Sequence, residues 1–111
     1  MKVGLDLIEI GRIRRTLERY PSFRDRVFTE AERAYCDSRP NPPQHYAARF
    51  AGKEAVGKAL GFGVARAFAW QDVEISGRVA ARAASVGVGQ IDLSMTHSRE
   101  LAAAVCVVVV P

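Results

Sequence analysis

Two carboxylates and a lysine are candidates for metal and phosphate chemistry. Asp6 lies in an apolar stretch, residues 3–10, although aspartate is a poor strand former. Glu54 and Lys58 are four residues apart, so both face the same way on a helix. Magnesium takes one or two protein carboxylates together with phosphate oxygens and water. Asp6 and Glu54 therefore predict a magnesium site if strand and helix pack together. The alternatives are a turn-capping aspartate and an ordinary Glu54–Lys58 ion pair.

Further charged side chains accompany these residues. Arg49 and Lys53 share a helical segment that is otherwise small and apolar, which indicates a buried helix whose charges must be paired or functional. His97 ends an alternating segment beside Thr96 and Ser98, where an imidazole can bind phosphate or move a proton. A purely structural histidine is the alternative.

An arginine-rich segment supplies the basic character of the chain. Between residues 12 and 26 there are six arginines and two acids, an excess equal to the net charge of +4. Arg12, Arg15 and Arg19 share one helical face, here named the arginine stripe, and Ile13, Leu17 and Tyr20 are predicted to form the buried face. The stripe suits an acidic protein, a phosphate-rich ligand or nucleic acid, but scarce aromatic residues weaken the nucleic-acid interpretation. A solvated helix face is the alternative.

The elements that position these residues follow from periodicity and capping. The predicted strands cover residues 3–10, 91–97 and 101–110, the last two forming a hairpin. Residues 67–75 are predicted to form a strand, or a bend followed by a strand. The predicted helices cover residues 12–20, 44–60 and 79–85, with a further short helix that begins after Thr29. Thr29 and Glu32 fit a capping box, and Gly61 fits a helix C-cap. Pro21 and Ser22 are predicted to break a helix, and residues 40–43 to form a loop. The result is an α+β fold, a small antiparallel sheet packed against one long helix and two or three short helices.

Length and composition limit the class of protein. The 111 residues, 49% of them hydrophobic and 25% charged, predict a single globular domain over residues 1–111. No signal peptide is expected, and the longest apolar run, residues 101–110, is too short for a membrane helix. Cys36 and Cys106 are far apart and predict reduced, buried thiols in a cytoplasmic protein.

Three segments, in this order and spacing, resemble the phosphopantetheinyl transferases. Residues 4–10 look like their first signature, GLDLIEI. Residues 49–61 closely resemble the second and most specific one, RFAGKEAVGKALG. Residues 94–97 are similar to the third, with SMTH in place of Ser-x-Ser-His. The total length fits the short, single-domain branch, the holo-acyl-carrier-protein synthases.

The resemblance implies a reaction and a set of site residues. A serine hydroxyl of an apo acyl carrier protein attacks the pyrophosphate of coenzyme A, phosphopantetheine moves to the serine, and adenosine 3′,5′-bisphosphate leaves. Asp6 and Glu54 correspond to the magnesium ligands. The implied catalytic residues are Glu54, Lys58 and His97, and the implied coenzyme A contacts are Arg49, Lys58, Gly61 and His97.

The resemblance also implies partners. The acyl carrier protein is acidic, so the implied docking residues are Arg12, Arg15, Arg19, Arg24 and Arg26. A homotrimer with sites between protomers is expected, and neither nucleic acid nor a membrane is expected as a partner.

The chain departs from the family pattern in three places. Thr96 replaces a serine, Gly52 stands where a larger small residue is usual, and residues 75–90 are short, with Gly77-Arg78-Val79 where a Gly-Lys-Pro turn and a further strand are usual. A close backbone approach is expected to require Gly52. Two other functions remain open: a non-catalytic module that binds coenzyme A or a carrier protein, and a small nucleic-acid-binding protein. The intact Asp6, Glu54 and Lys58 argue against the former.

Overall fold

The computed structural model describes residues 1–61, 70–75, 81–83 and 90–109. Within these ranges the order is β1 (Lys2–Glu9), α1 (Ile10–Arg19), α2 (Pro21–Val27), α3 (Glu30–Asp37), α4 (Pro42–Ala59), a 3-10 turn (Trp70–Asp72), β2 (Val73–Ile75), β3 (Ala81–Ala83), β4 (Gln90–His97) and β5 (Leu101–Val109). The predicted α+β class, with a small antiparallel sheet, one long helix and shorter helices, is confirmed.

The main sheet has the order β1-β5-β4, and both pairings are antiparallel. Strands β4 and β5 therefore form the predicted hairpin, and β5 is the central strand of the three-stranded sheet. Side chains of β5 alternate between the two faces: Ala102, Ala104, Cys106 and Val108 are buried, whereas Val105 and Val109 on the other face are exposed. A second, two-stranded sheet pairs β2 with β3.

Helix α4 covers the inner face of the main sheet. Its small residues allow a close approach, most of all at Gly4 of β1: a Cβ atom there would lie 2.7 Å from the amide nitrogen of Ala59 and closer still to the carbonyl oxygen of Ala55. Gly52 is also closely packed, but its nearest neighbour is a side chain, Ile75, whose Cδ1 would lie 2.5 Å from an added Cβ. The expected backbone approach thus occurs at Gly4 and not at Gly52.

A buried ion pair joins α3 and α4 to the 3-10 turn and to β2. The Nζ of Lys53 lies 2.9 Å from Oε1 of Glu32, and both side chains are fully buried. Lys53 also donates to the carbonyl oxygens of Trp70 and Val73, while Oε2 of Glu32 accepts from the backbone N–H of Ile75 at 2.9 Å. The pair therefore meets the requirement that a buried charge be partnered, and it anchors β2.

Several predicted elements need correction. The helix predicted over residues 79–85 is wrong in its described part, because 81–83 form β3 and pair with β2. Pairing to a neighbouring strand here overrides the helical preference of alanine and arginine. Strand β3 also lies within residues 75–90, where the comparison with the family pattern suggested that a strand is missing. Over residues 67–75 the alternative of a bend followed by a strand fits the described part, because the 3-10 turn Trp70–Asp72 leads into β2; residues 67–69 lie outside the described ranges.

Prolines begin two helices. Pro21, predicted to break a helix, stands at the start of α2, and Pro42 and Pro43, predicted to lie in a loop, open α4. A proline is tolerated in the first turn because the N–H it lacks has no partner within the helix. The capping box of Thr29 and Glu32 is confirmed. Tyr20, predicted to be buried, is 58% exposed beyond the end of α1.

Two other expectations concern cysteines and membranes. Cys36 and Cys106 are buried free thiols, as expected. In the part of the chain that the structure describes, no helix combines the length and the hydropathy needed to cross a bilayer.

Candidate active site

Strand β1 and helix α4 bring Asp6, Glu54 and Lys58 together. Asp6 occupies an inward position of β1, between Gly4 and Ile8. The Nζ of Lys58 donates to Oδ1 of Asp6 at 3.0 Å and to the carbonyl oxygen of Leu5 at 3.0 Å. Lys58 is thus held against β1, and its ion pair is with Asp6. The contact between strand and helix on which the metal hypothesis depends is present.

Glu54 is the third member of this group, and it interacts electrostatically with both Asp6 and Lys58. Burial raises the pKa of Glu54, and the negative charge of Asp6 raises it further, against the opposing charges of Lys58 and Arg12. The carboxylates of Asp6 and Glu54 therefore repel each other across the strand–helix contact. A divalent cation placed between them would remove this repulsion.

The donor set fits magnesium. Asp6 and Glu54 are hard oxygen donors from two different elements, and a small hydrated dication commonly takes two protein carboxylates. Among the described residues, no three His, Cys, Asp or Glu side chains are grouped around a common point. A cation at this pair would therefore take its other ligands from water and from a phosphate-bearing ligand.

A second cluster lies where α3 approaches the start of α4. Arg49 is 3% exposed, and its guanidinium carbon lies 4.1 Å from the ring centroid of Tyr35. Arg39 lies 4.6 Å from the same centroid. Stacking against an aromatic ring stabilises guanidinium groups at these positions.

His97 joins this cluster from the end of β4. Its Nε2 lies 2.8 Å from Nε2 of Gln44, and its ring centroid lies 6.4 Å from that of His45. His45 contacts Tyr35 edge-on, with centroids 6.0 Å apart. The sequence did not predict roles for His45 and Gln44, because the motif that carries the site covers residues 49–61. The prolines at residues 42 and 43 were the available signal that the helix begins earlier and includes these two side chains.

The two clusters lie on opposite sides of α4. Lys58 bonds to β1, whereas Gln44 bonds to β4, and these strands are the two edges of the three-stranded sheet. His45 and Glu54 are nine positions apart, about two and a half helical turns. The structure therefore brings Asp6, Glu54 and Lys58 together, and Arg49 with His97, but it separates these two groups within one chain.

Gly61 ends α4 as predicted. It has φ 87°, the left-handed conformation that glycine adopts without strain, and its N–H donates to the carbonyl oxygen of Lys58 at 3.0 Å. This backbone role accounts for glycine at the position whether or not a ligand lies beside it.

The arginine stripe is exposed on α1 and borders a shallow groove. Beside it lies an aromatic cleft of about 280 Å³, lined by Thr16, Tyr20, Ser22, Phe23, Arg26, Val27, Phe50 and Trp70. Phe50 and Trp70 stack at 5.1 Å between centroids. The sequence patterns did not predict this cleft, because its walls come from segments far apart in the chain.

Arg24 differs from the other predicted docking arginines. Its Nε donates to the hydroxyl of Tyr46 at 2.9 Å, and its guanidinium also pairs with Asp37. The same hydroxyl donates to Asp37 at 2.7 Å. The side chain of Arg24 is thus held by α3 and α4, whereas Arg26 lines the aromatic cleft.

Comparison with known proteins identifies the family. Residues 2–106 match the model of the 4′-phosphopantetheinyl transferase superfamily, and the chain belongs to this superfamily. A holo-[acyl-carrier-protein] synthase of Moorella thermoacetica is 44% identical over 120 residues, covering 97% of this chain and 93% of that protein. One of Chlamydia trachomatis is 45% identical over 114 residues, covering 95% and 96%.

Solved structures agree with the fold. A holo-(acyl-carrier-protein) synthase from Bacillus anthracis in complex with CoA (3′,5′-ADP) superposes with a TM-score of 0.87 at 31% identity, covering 99% of this chain and 96% of that one. The Helicobacter pylori synthase in complex with coenzyme A gives 0.85 at 27% identity, covering 96% and 98%.

Proposed function

We propose that this phosphopantetheinyl transferase moves phosphopantetheine from coenzyme A to a serine hydroxyl of an apo acyl carrier protein, releasing adenosine 3′,5′-bisphosphate. The observation that carries the proposal is the group formed by Asp6, Glu54 and Lys58, which unites two carboxylates and an ammonium where β1 meets α4. Relatives of nearly equal length that carry the synthase name support the same reaction.

Asp6 and Glu54 are the proposed magnesium ligands. When bound, the ion supplies positive charge to the pyrophosphate oxygens, on which negative charge grows as the leaving group departs. Lys58 is half exposed and already hydrogen-bonded to Asp6, so its ammonium is available to a phosphate oxygen at the same place. Glu54, acting through a bound water molecule, is the candidate acceptor of the serine proton.

Arg49, His97 and Gly61 are the proposed further contacts of coenzyme A. The cluster around Tyr35 presents the cationic Arg39 and Arg49 beside two imidazoles, which favours an anionic ligand. His97 is exposed at the end of β4, where its ring can reach a bound phosphate.

The carrier protein is proposed to dock on the arginine stripe, with Arg26 at the edge of the aromatic cleft. Exposed arginines favour an acidic partner, and the aromatic side chains beside them offer apolar contact area. Arg24, which the resemblance implies as a docking residue, supports docking indirectly by holding α2 against Tyr46 and Asp37.

A homotrimer with sites between protomers is the proposed assembly. The outer face of the sheet exposes Val3, Leu5 and Leu7, at 61%, 64% and 63%. Val105 and Val109 of β5 continue this apolar face. Such a patch favours burial against further copies of the chain. The separation of the metal pair from His97 on opposite sides of α4 is also what a site shared between two protomers requires.

The cytoplasm is the proposed location. Cys36 and Cys106 are buried as free thiols, and burial raises the pKa of each to about 11, which keeps both in the unreactive thiol form. Free cysteines of this kind are typical of a reducing compartment.

The test is transfer to an apo acyl carrier protein, followed by intact-protein mass spectrometry. With coenzyme A and magnesium, the carrier protein should gain the mass of one phosphopantetheine group, and a carrier protein whose acceptor serine is replaced by alanine should gain none. A chain that binds coenzyme A without modifying any carrier protein would be a binding module instead. Binding to DNA or RNA that falls steeply with salt would support the nucleic-acid alternative.

A further inference from the structure

His45 lies beside His97, and the transfer reaction assigns it no role of its own. It is partly buried in the first turns of α4, with Tyr35 of α3 on one side and His97 of β4 on the other. The two histidine rings are 6.4 Å apart between centroids and inclined by 69°. An anion of phosphate size can therefore contact both imidazoles at once.

The two histidines have different polar neighbours. The backbone carbonyl of Pro40 interacts with the ring of His45 and acts to raise its pKa, as the smallest of the influences on that ring. His97 is held separately, by the hydrogen bond of its Nε2 to Gln44.

The surroundings of His45 disfavour a positive ring while no anion is bound. Burial lowers the pKa of His45 first, and the charges of Arg49, His97 and Arg39 lower it further, against the hydrogen bond to Pro40. Among the described residues, Tyr35 also contacts the ring, edge-on. The ring is therefore neutral near pH 7, and it lies within a group of cations that a bound anion would neutralise.

We propose that His45 and His97 form a two-histidine phosphate site in which His45 takes up a proton from solvent when a phosphate group of coenzyme A binds. The inference rests on the proposed function, because it names coenzyme A as the ligand. The anion bound by the two histidines is a phosphate group of coenzyme A, either the 3′-phosphate monoester or the pyrophosphate. The bound anion offsets the positive charges that keep His45 neutral, and the protonated ring in turn donates to a phosphate oxygen.

Imidazole NMR tests this directly, because the chain contains two histidines and so gives two sets of ring signals. The signals are assigned with His97→Asn, and each is titrated in the free protein, with coenzyme A and with 3′-dephospho-coenzyme A. Binding is measured on the same samples by calorimetry. We expect the pKa of His45 to rise by roughly one pH unit or more with coenzyme A, as an opposite charge within about 4–6 Å produces.

The two ligands separate the two phosphate sources. Loss of the rise with 3′-dephospho-coenzyme A identifies the monoester, and an equal rise identifies the pyrophosphate. His45→Gln, which keeps a hydrogen-bonding side chain but cannot take up a proton, should also remove about a tenfold tightening of coenzyme A binding as the pH is lowered. Heat of binding without any change in the His45 titration overturns the inference and leaves the proposed function standing. A protein that binds no coenzyme A contradicts both.

Discussion

Gly4 of β1 lies directly against the carbonyl oxygen of Ala55 in α4, with no room for a side chain between them. Two residues after this contact Asp6 faces inward, and one residue before Ala55 in the helix is Glu54. The glycine therefore sets the distance between the strand and the helix that carry the two carboxylates. Replacing it must move the backbone of one of them, because the atoms in the way belong to α4 itself.

We expect Gly4→Ala to destabilise the fold by about 1–3 kcal/mol or more, as overpacking against backbone does. Gly52→Ala should cost much less, because the end of the Ile75 side chain can move and alanine gains about 1 kcal/mol of helix propensity over glycine. Thermal melts of the two variants, side by side, measure the difference. Equal melting temperatures would show that β1 and α4 can separate freely.

Glu54→Gln and Asp6→Asn should each lower transfer by on the order of 100-fold or more with normal melting curves, because each keeps the shape of the side chain but removes a metal-binding charge. Turnover as a function of magnesium concentration is the measurement. Lys58→Met, which removes the ammonium but not a ligand, should retain a normal magnesium dependence at a reduced rate. A well-folded Glu54→Gln or Asp6→Asn variant with full turnover would show that the metal lies elsewhere.

The sequence predicted the pairing of Asp6 with Glu54 because both elements have strong local patterns and the resemblance supplied their contact. The cluster around His45 was not predictable in this way. It depends on where α3 and β4 end in space, and a short helix and a strand end carry no periodicity that states this. The helix expected over residues 79–85 failed for a related reason, since Ala81–Ala83 gain their strand hydrogen bonds only from β2.

Arg15→Glu combined with Arg19→Glu should raise the KM for the carrier protein strongly and leave coenzyme A binding nearly unchanged. Both side chains are exposed on α1, and reversing their charge repels an acidic partner. Arg14→Glu, on another face of the same helix, reverses one charge outside the stripe and is the control for Arg15→Glu alone. Added salt should weaken docking of the unmodified protein. Identical carrier-protein kinetics in all variants would argue against the arginine stripe as the docking surface.

Leu5→Lys should convert the proposed trimer to monomers. Leu5 is 64% exposed, so a lysine is tolerated in the isolated chain but would be buried and unpaired between copies. Light scattering at micromolar concentration gives the mass, with Ala34→Lys on the exposed side of α3 as the control. A monomeric and fully active unmodified protein would remove the basis for shared sites.

Subunit mixing tests the shared site itself. Asp6→Asn impairs one half-site and His97→Ala the other, so trimers assembled by co-refolding equal amounts should contain intact sites where complementary halves meet. For random assembly of such a ring, roughly one quarter of the sites are intact. Transfer well above that of either parent is the expected result. If each chain contains a whole site, mixing restores nothing.

The inner position of β5 also dictates when the site can form during protein synthesis. β1 pairs along its length with β5, so the strand that carries Asp6 has to wait for residues 101–109 before it gains its ladder of hydrogen bonds. Early helices can form as they leave the ribosome, but pairing between segments so distant in sequence is slow and comes late. A nascent chain stalled before β5 should therefore be protease-sensitive and inactive, and activity should appear abruptly once the last strand is available.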